Sequence, residues 1–288
     1  MRLVIWIEAS RPKTLIASIS PVLIGTAIVN GFTSLLFFMT LLTATFLQIG
    51  TNLANDYFDA KKGSDNAKRI GPRRIMQAGL TSDTTMRRAI FISFLIATIS
   101  SIYLIQIGGP IISYLFLLAV LLGIGYTAGP LALAYIGLGD LVVFIFFGPI
   151  ATLMTAYLHT KTFPLEALIA GIGPGALSTA ILTANNLRDH LSDKESGKKT
   201  LIVRFGEKFG QWFYTSLLTL SLIIPIIMHF TFDCNPLILL TSLLFLAALL
   251  LIKDTFSAKT PYDYIPLLPK TSLLLGLYTL LFSLGLLT

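Results

Sequence analysis

Residues 52–65 read NLANDYFDAKKGSD, where a long apolar run ends and side-chain oxygens crowd together. If the apolar helix continues through this stretch, a rotation of about 100° per residue places amides and carboxylates on one face. That face carries Gln48, Asn52, Asn55, Asp56 and Asp59. Neighbouring carboxylates repel each other unless a cation lies in front of them, and hard oxygen ligands suit Mg²⁺, particularly when a substrate phosphate completes the coordination. The stretch therefore predicts a cation site at a helix end.

The composition places this site in a membrane protein. Of the 288 residues, 55% are hydrophobic and 12% are charged, which is too apolar for a soluble domain and leaves length for several membrane spans. The first 13 residues lack the cleavage pattern of a signal peptide, so we expect the N-terminus to be retained. Because Cys234 is the single cysteine, we expect neither an intramolecular disulfide nor a thiolate metal cluster.

Nine apolar segments have the length of a membrane-spanning helix, about 17 to 25 residues. They are residues 14–30, 35–54, 89–107, 110–128, 138–158, 164–184, 212–230, 236–253 and 270–287. Of the 21 Lys and Arg residues, 20 lie before the first segment or in the second, sixth and eighth loops, and only Lys161 lies on the other side. Because basic loops stay in the cytoplasm, this pattern predicts an all-α integral membrane protein with nine spans, a cytoplasmic N-terminus and an outside C-terminus.

Two long polar stretches, residues 60–88 and 188–211, fall on the predicted cytoplasmic side. Loops this long usually have a function, and we expect them to cap a cavity between the helices of a single domain, 1–288. The net charge of +7 would suggest nucleic acid for a soluble protein. Here the bases lie between apolar segments and not among interleaved aromatic residues, so we expect no nucleic-acid partner.

A second polar cluster, NNLRDHLSDKESGKKTLIVRFG, occupies residues 185–206 at the end of the sixth span. Asn185, Asp189 and Asp193 recur at every fourth position, so a continuous helix again places them on one face. Both clusters follow even-numbered spans and so emerge on the same side, where they could meet across one cavity. Acids at a membrane edge are costly and mark functional sites. The matched spacing and sidedness favour one shared site over two solvated helix ends.

Bases around both clusters indicate a phosphorylated ligand, because Arg binds phosphate through two donors and Lys adds a point charge. They are Lys61, Lys62, Lys68, Arg69, Arg73 and Arg74 after the first cluster, and Arg188, Lys194, Lys198, Lys199 and Arg204 around the second. Retention of positive loops in the cytoplasm and contact with anionic lipid also account for many of them. Together with the acids, these bases fit a diphosphate bridged by Mg²⁺.

A third stretch, YTAGPLALAYIGLGD, occupies residues 126–140 on the same side. Tyr126 and Tyr135 could face the cavity, where an electron-rich ring stabilises a nearby carbocation, or they could anchor the chain at the membrane interface. Asp140, at the end of this stretch, is either an acid at the start of a helix or a substrate contact.

These segments, with RPKTLIASISPVLIGTA from Arg11, resemble the UbiA superfamily of intramembrane prenyltransferases, and most of all its branch acting on 1,4-dihydroxy-2-naphthoate in menaquinone synthesis. The resemblance implies a nine-helix bundle around a lateral, cytoplasm-facing cavity in a bacterial-type cytoplasmic (inner) membrane. It implies two Mg²⁺ ions and transfer of a polyprenyl chain from polyprenyl diphosphate to the naphthoate, with loss of CO2 and diphosphate, giving demethylmenaquinol. The implied partners are the polyprenyl diphosphate, an aromatic acid and membrane lipid.

The resemblance also implies roles for individual residues. The implied metal ligands are Asn55, Asp56, Asp59, Asp189 and Asp193, and we expect Asp65 to be a further ligand. The implied catalytic residues are Asp56, Asp59, Asp189 and Asp193, and we expect Tyr126 to act with them through its ring. We further expect these residues to bind substrate: Asn52, Asn55, Lys61, Arg73, Arg74, Arg188, Lys198, Arg11 and Lys13. The superfamily often has an acid four residues after Asp59, where this chain has Gly63, and Asp65 follows two residues later, as in the naphthoate branch.

Other acceptors and another class of protein stay open at this point. The acceptor could instead be 4-hydroxybenzoate, a futalosine-route naphthoate or heme. A secondary transporter would also have buried acids, but here the acids gather at one edge and are followed by bases, which favours phosphate chemistry over alternating access. The length of the prenyl chain and the oligomeric state cannot be predicted from the sequence.

Overall fold

The computed structural model describes residues 2–29, 32–63, 70–71, 73–129 and 132–288, and within these ranges it contains helices and no β-strand. The α-helices are α1 (Arg2–Ser10), α2 (Pro12–Ala27), α3 (Ser34–Lys61), α4 (Asp83–Gly108), α5 (Pro110–Gly125), α6 (Leu133–Ile136), α7 (Gly139–Phe146), α8 (Pro149–Thr160), α9 (Leu165–Ala170), α10 (Ile172–Glu195), α11 (Leu201–Phe205), α12 (Glu207–Phe232), α13 (Phe245–Ser257) and α14 (Leu267–Leu287). Short 3-10 helices at Pro236–Leu244 and Pro261–Tyr264 precede α13 and α14. The predicted all-α fold is confirmed.

Seven helical segments in the described ranges are long and apolar enough to cross a membrane. They are Ser34–Lys61, Asp83–Gly108, Gly139–Thr160, Leu165–Glu195, Glu207–Phe232, Pro236–Ser257 and Pro261–Leu287. In addition, α5 is a shorter apolar helix, and the 16-residue α2 packs against α3, α8, α10 and α14. These segments confirm that the chain is an integral membrane protein.

The two helices that carry the acid clusters extend beyond their predicted spans. α3 continues to Lys61 and α10 continues to Glu195. Neither extension contains Gly or Pro, so nothing in the local sequence breaks the backbone hydrogen bonding until Gly63, which has a φ of 69°. The predicted continuation of both helices through the acid clusters is confirmed. As a consequence, the predicted cap segment 188–211 begins and ends as helix, and its non-helical part is short.

The exceptional base Lys161 follows the C-terminus of α8. Its ammonium donates a hydrogen bond to the Leu158 carbonyl at 3.1 Å and lies 5.7 Å from the centre of the Tyr157 ring. A cation at the C-terminus of a helix satisfies carbonyl groups that have no partner within the helix. Lys161 therefore has a local structural function that explains its departure from the segregation of the other bases.

Glycine allows α7 and the turn between α7 and α8 to cross α10 with the backbones nearly touching. A Cβ atom added at Gly175 would lie 2.6 Å from the Phe144 carbonyl oxygen and 3.1 Å from the Cα of Gly148. Both are backbone atoms, so no side chain can rotate to make room. Close approach at small residues is a common way for membrane helices to pack. This crossing fixes the position of the second acid cluster relative to α7.

Gly175→Ala should destabilise the protein because the added methyl overlaps backbone atoms, an overpacking that typically costs about 1 to 3 kcal/mol. The matched control is Gly276→Ala in α14, where the nearest atom to an added Cβ is 3.9 Å away. Thermal unfolding in detergent should show a lower midpoint for Gly175→Ala and an unchanged or higher midpoint for Gly276→Ala. Equal midpoints for the two variants would contradict the close crossing.

Candidate active site

Two adjoining spaces lie inside the helix bundle. The larger one, here called the apolar cavity, has a volume of about 810 Å³ and is lined mostly by aliphatic and aromatic side chains, a volume typical of ligand sites. The smaller one, here called the polar pocket, has a volume of about 80 Å³. The two spaces lie next to each other, because both are lined by Arg11, Asn55, Arg74, Tyr126, Leu182 and Asn185.

The polar pocket brings the two acid clusters together. Asp59 from α3 and Asp189 and Asp193 from α10 line it, and all three are buried. The ammonium of Lys198 lies 3.6 Å from a carboxylate oxygen of Asp59 and 3.6 Å from one of Asp193. One cation thus bridges carboxylates from the two helices, as expected for acids that face a common point.

Asp59 is held by groups from three different segments. Its carboxylate accepts a hydrogen bond from the Tyr135 hydroxyl at 2.9 Å and lies 3.6 Å from the buried guanidinium of Arg74. The Tyr135 ring has the ammonium groups of Lys62 and Lys198 at 4.3 Å and 5.1 Å from its centre. Tyr135 therefore contacts both the acids and the bases of the site, and is not an isolated interfacial tyrosine.

Asp56, one turn earlier, faces a different partner. Its two carboxylate oxygens accept hydrogen bonds from the backbone amides of Ile75 at 3.0 Å and Met76 at 3.4 Å. Asp56 thereby anchors the turn that carries Arg73 and Arg74. It lines the apolar cavity, as do both arginines, whereas only Arg74 of these three also lines the polar pocket.

The amides of the first cluster orient neighbouring segments. Asn55 accepts a hydrogen bond from the Thr127 hydroxyl at 2.9 Å, while Asn52 donates to the Ser10 carbonyl at 3.0 Å. Arg11 follows Ser10 with a φ of 55°, in the left-handed region that non-glycine residues seldom adopt. The contact of Asn52 thus supports the backbone that directs Arg11 to both spaces. The exposed Lys13 lines the apolar cavity.

Two predicted substrate-binding bases are not among the described residues that line either space. Arg188 is buried and donates two hydrogen bonds to the neighbouring Asp189, at 2.7 Å and 2.6 Å. These two bonds can hold the Asp189 carboxylate in one orientation. Lys61 is exposed and forms an ion pair with Asp83. The ion pair with Asp83 keeps the Lys61 ammonium at the protein surface, away from the pocket. The predicted metal ligand Asp65 lies outside the described residues.

Sequence reasoning missed two threonines that line the polar pocket. Thr127 is buried and bonds to Asn55, as described above. Thr200 accepts a hydrogen bond from the Val203 amide at 3.2 Å and so caps α11, directly after the segment that carries Lys198. A single threonine gives little signal, because it is common at helix caps. Only the position of Thr127 beside Tyr126 pointed to the site.

The donor set fits a hard divalent cation that is shared with a phosphate. The pocket offers carboxylate oxygens from α3, α7 and α10 and the amide oxygens of Asn55, Asn185 and Asn186. Within the described ranges, no group of three His, Cys, Asp or Glu side chains is placed to hold a metal ion alone. Mg²⁺ usually takes one or two carboxylates and completes its coordination with water and substrate phosphate. The residues present therefore fit Mg²⁺ bound together with a phosphorylated ligand.

Comparisons with known proteins identify the family of this chain. The 1,4-dihydroxy-2-naphthoate octaprenyltransferase of Haemophilus influenzae is 34% identical over 301 aligned positions, covering 99% of this chain and 96% of the relative. The Escherichia coli protein of the same name is 39% identical over 227 positions, covering 76% and 74%. A UbiA homologue from Archaeoglobus fulgidus, solved bound to GPP and Mg²⁺, has a TM-score of 0.63 at 14% identity, covering 97% and 99%. The UbiA prenyltransferase family matches residues 18–261, and the chain belongs to this family.

Proposed function

We propose that this protein transfers a polyprenyl chain from polyprenyl diphosphate to 1,4-dihydroxy-2-naphthoate, with loss of CO2 and diphosphate, to give demethylmenaquinol. The observation that carries the proposal is the meeting of acids from α3 and α10 with Arg74 and Lys198 beside a large apolar cavity. The relatives that cover most of the chain are named for this reaction.

The polar pocket would hold the diphosphate. Two Mg²⁺ ions, when bound, would neutralise the diphosphate and stabilise the charge that develops as it leaves. Asp59, Asp189 and Asp193, with Asn55, would hold them, while Arg74, Lys198 and Arg11 add positive charge from the chain. Arg188 would orient Asp189 through its two hydrogen bonds, and Asp56 would position the turn that carries Arg74.

The apolar cavity would hold the isoprenoid tail and exclude water. When the carbon–oxygen bond to diphosphate breaks, the allylic carbon becomes electron-poor, and the ring of the acceptor forms the new carbon–carbon bond as its carboxyl group leaves as CO2. Tyr126 lies where the two spaces adjoin and could stabilise the cation through its ring. Apolar walls keep water from capturing the cation before the acceptor does.

We propose nine membrane crossings, formed by the seven long segments together with α2 and α5. The N-terminus and both acid clusters would face the cytoplasm in a bacterial-type cytoplasmic membrane, with segments 60–88 and 188–211 covering the site of a single domain. The segregation of 20 of the 21 Lys and Arg residues supports this orientation. A cavity open sideways to lipid would admit a tail that dissolves in the bilayer.

Turnover with defined acceptors tests the proposed function. Purified protein with Mg²⁺ and a long-chain polyprenyl diphosphate should convert carboxyl-labelled 1,4-dihydroxy-2-naphthoate to a prenylated product and release labelled CO2 in equal amount. Labelled 4-hydroxybenzoate, supplied in parallel, should give no product. Product from 4-hydroxybenzoate alone, or a prenylated naphthoate that keeps its carboxyl group, would contradict the proposal. Ion-coupled uptake into vesicles without any turnover would instead indicate a transporter.

Asp59→Asn and Asp189→Asn should each lower kcat/KM at least about 100-fold, because each removes a carboxylate that would hold the Mg²⁺ needed to stabilise charge on the departing diphosphate. The matched control is Asp254→Asn, which removes an exposed carboxylate that pairs with Lys270 at 2.6 Å. All three variants should elute from a sizing column like the unchanged protein. Normal rates in both pocket variants would show that these clusters are not the diphosphate site.

A further inference from the structure

Asp140 is a buried acid that the proposed diphosphate chemistry does not use. It is the second residue of α7 and its exposed fraction is 4%. Its Oδ1 atom has no hydrogen-bond partner among the residues that the structure describes. A buried carboxylate oxygen that receives no hydrogen bond costs free energy. This cost would be offset if a bound ligand supplied the missing donor.

The position of Asp140 matches a ligand that reacts at the junction of the two spaces. Asp140 lines the polar pocket together with Asn185 and Asp189 of α10. Two and three residues further along α7, Val142 and Val143 line the apolar cavity. α7 therefore borders both spaces where they adjoin. The reacting carbon of a prenyl diphosphate must lie at this junction, because it connects the charged group to the tail.

Gly139 places the Tyr126 ring beside this acid. A Cβ atom added at Gly139 would lie 2.8 Å from the Tyr126 hydroxyl oxygen and 3.3 Å from two ring carbons. The ring thus packs against the backbone that immediately precedes Asp140, and Tyr126 itself lines both spaces. A flat phenol next to a carboxylate makes a wall that suits a planar ring carrying a hydroxyl group.

The ligands expected at this junction differ in whether they can donate a hydrogen bond to a carboxylate. Diphosphate is an anion that only accepts hydrogen bonds, and an isoprenoid tail has neither donor nor acceptor. A hydroxylated aromatic acid carries O–H donors. In 1,4-dihydroxy-2-naphthoate the 1-hydroxyl lies next to the carboxylate and donates to it internally. The 4-hydroxyl is therefore the donor that remains for the protein.

We propose that the Asp140 carboxylate accepts a hydrogen bond from the 4-hydroxyl group of the aromatic acceptor, next to the Tyr126 ring. This inference rests on the proposed function, and it adds the residue that selects dihydroxylated acceptors. A hydrogen bond to an ionised carboxylate is shorter and stronger than one between neutral groups, so it discriminates well against a ring that lacks the hydroxyl. Asp140 is then a substrate-binding residue, separate in role from the acids of α3 and α10.

The test compares two aromatic acids in four proteins. The dissociation constant of 1,4-dihydroxy-2-naphthoate is compared with the competitive inhibition constant of 1-hydroxy-2-naphthoate, which lacks only the 4-hydroxyl. The unchanged protein should favour the dihydroxylated ring by about 10- to 100-fold. Asp140→Ala should bind the two rings nearly equally, and Asp140→Asn, which keeps the shape of the side chain, should show an intermediate preference. Asp254→Asn should behave like the unchanged protein.

Two further readouts separate this role from others. The KM for polyprenyl diphosphate and the Mg²⁺ concentration for half-maximal rate should be the same in Asp140→Asn as in the unchanged protein. An unaltered preference between the two rings in both Asp140 variants would overturn the inference alone. A raised Mg²⁺ requirement with the preference intact would overturn it in favour of a metal ligand. Failure of the unchanged protein to prenylate any aromatic acid would overturn the proposed function and this inference with it.

Discussion

Buried carboxylates from two separate helices need opposite charge between them, and in this protein Lys198 lies between Asp59 and Asp193. Without such a partner, burial of several acids in one small pocket would be costly. α3 and α10 must therefore end at the same depth, which explains why both continue as helix beyond their apolar parts. Tyr135 adds a second link between these helix ends, because it donates a hydrogen bond to Asp59 and its ring lies 5.1 Å from the Lys198 ammonium.

The third polar stretch, residues 126–140, joins the two helix ends. The Tyr135 hydroxyl donates a hydrogen bond to Asp59. The Tyr135 backbone carbonyl accepts a hydrogen bond from the Lys199 amide at 2.9 Å. Arg204 donates to the Ile136 carbonyl at 2.7 Å, which ties the same stretch to α11. The described parts of the three polar stretches thus contact one another and form one polar layer. The proposed assignment of diphosphate to this layer and of the tail to the apolar cavity follows from their opposite chemistry.

Helical periodicity was enough to predict the main features of the site. Spacings of three and four residues indicated that Asp59 and Asp193 would each face inward, and both lie in the shared polar pocket. Periodicity could not predict which acid would form an ion pair with each base. Arg188 and Lys198 both lie near the second cluster in sequence. Arg188 donates a hydrogen bond to its neighbour Asp189, whereas the loop after α10 places Lys198 beside Asp59. The path of a loop depends on tertiary contacts that no local pattern contains. Asp140 likewise could be placed only once Gly139 was found packed against Tyr126.

The central claim is that the acids of α3 and α10 bind a prenyl diphosphate through a divalent cation. Calorimetric titration with a non-reactive prenyl thiodiphosphate, in Mg²⁺ and again in EDTA, tests this directly because no acceptor or turnover is involved. The account predicts that Mg²⁺ tightens binding at least about 100-fold, since a shared cation is worth several kcal/mol of charge stabilisation. Equal affinity in Mg²⁺ and in EDTA would contradict it.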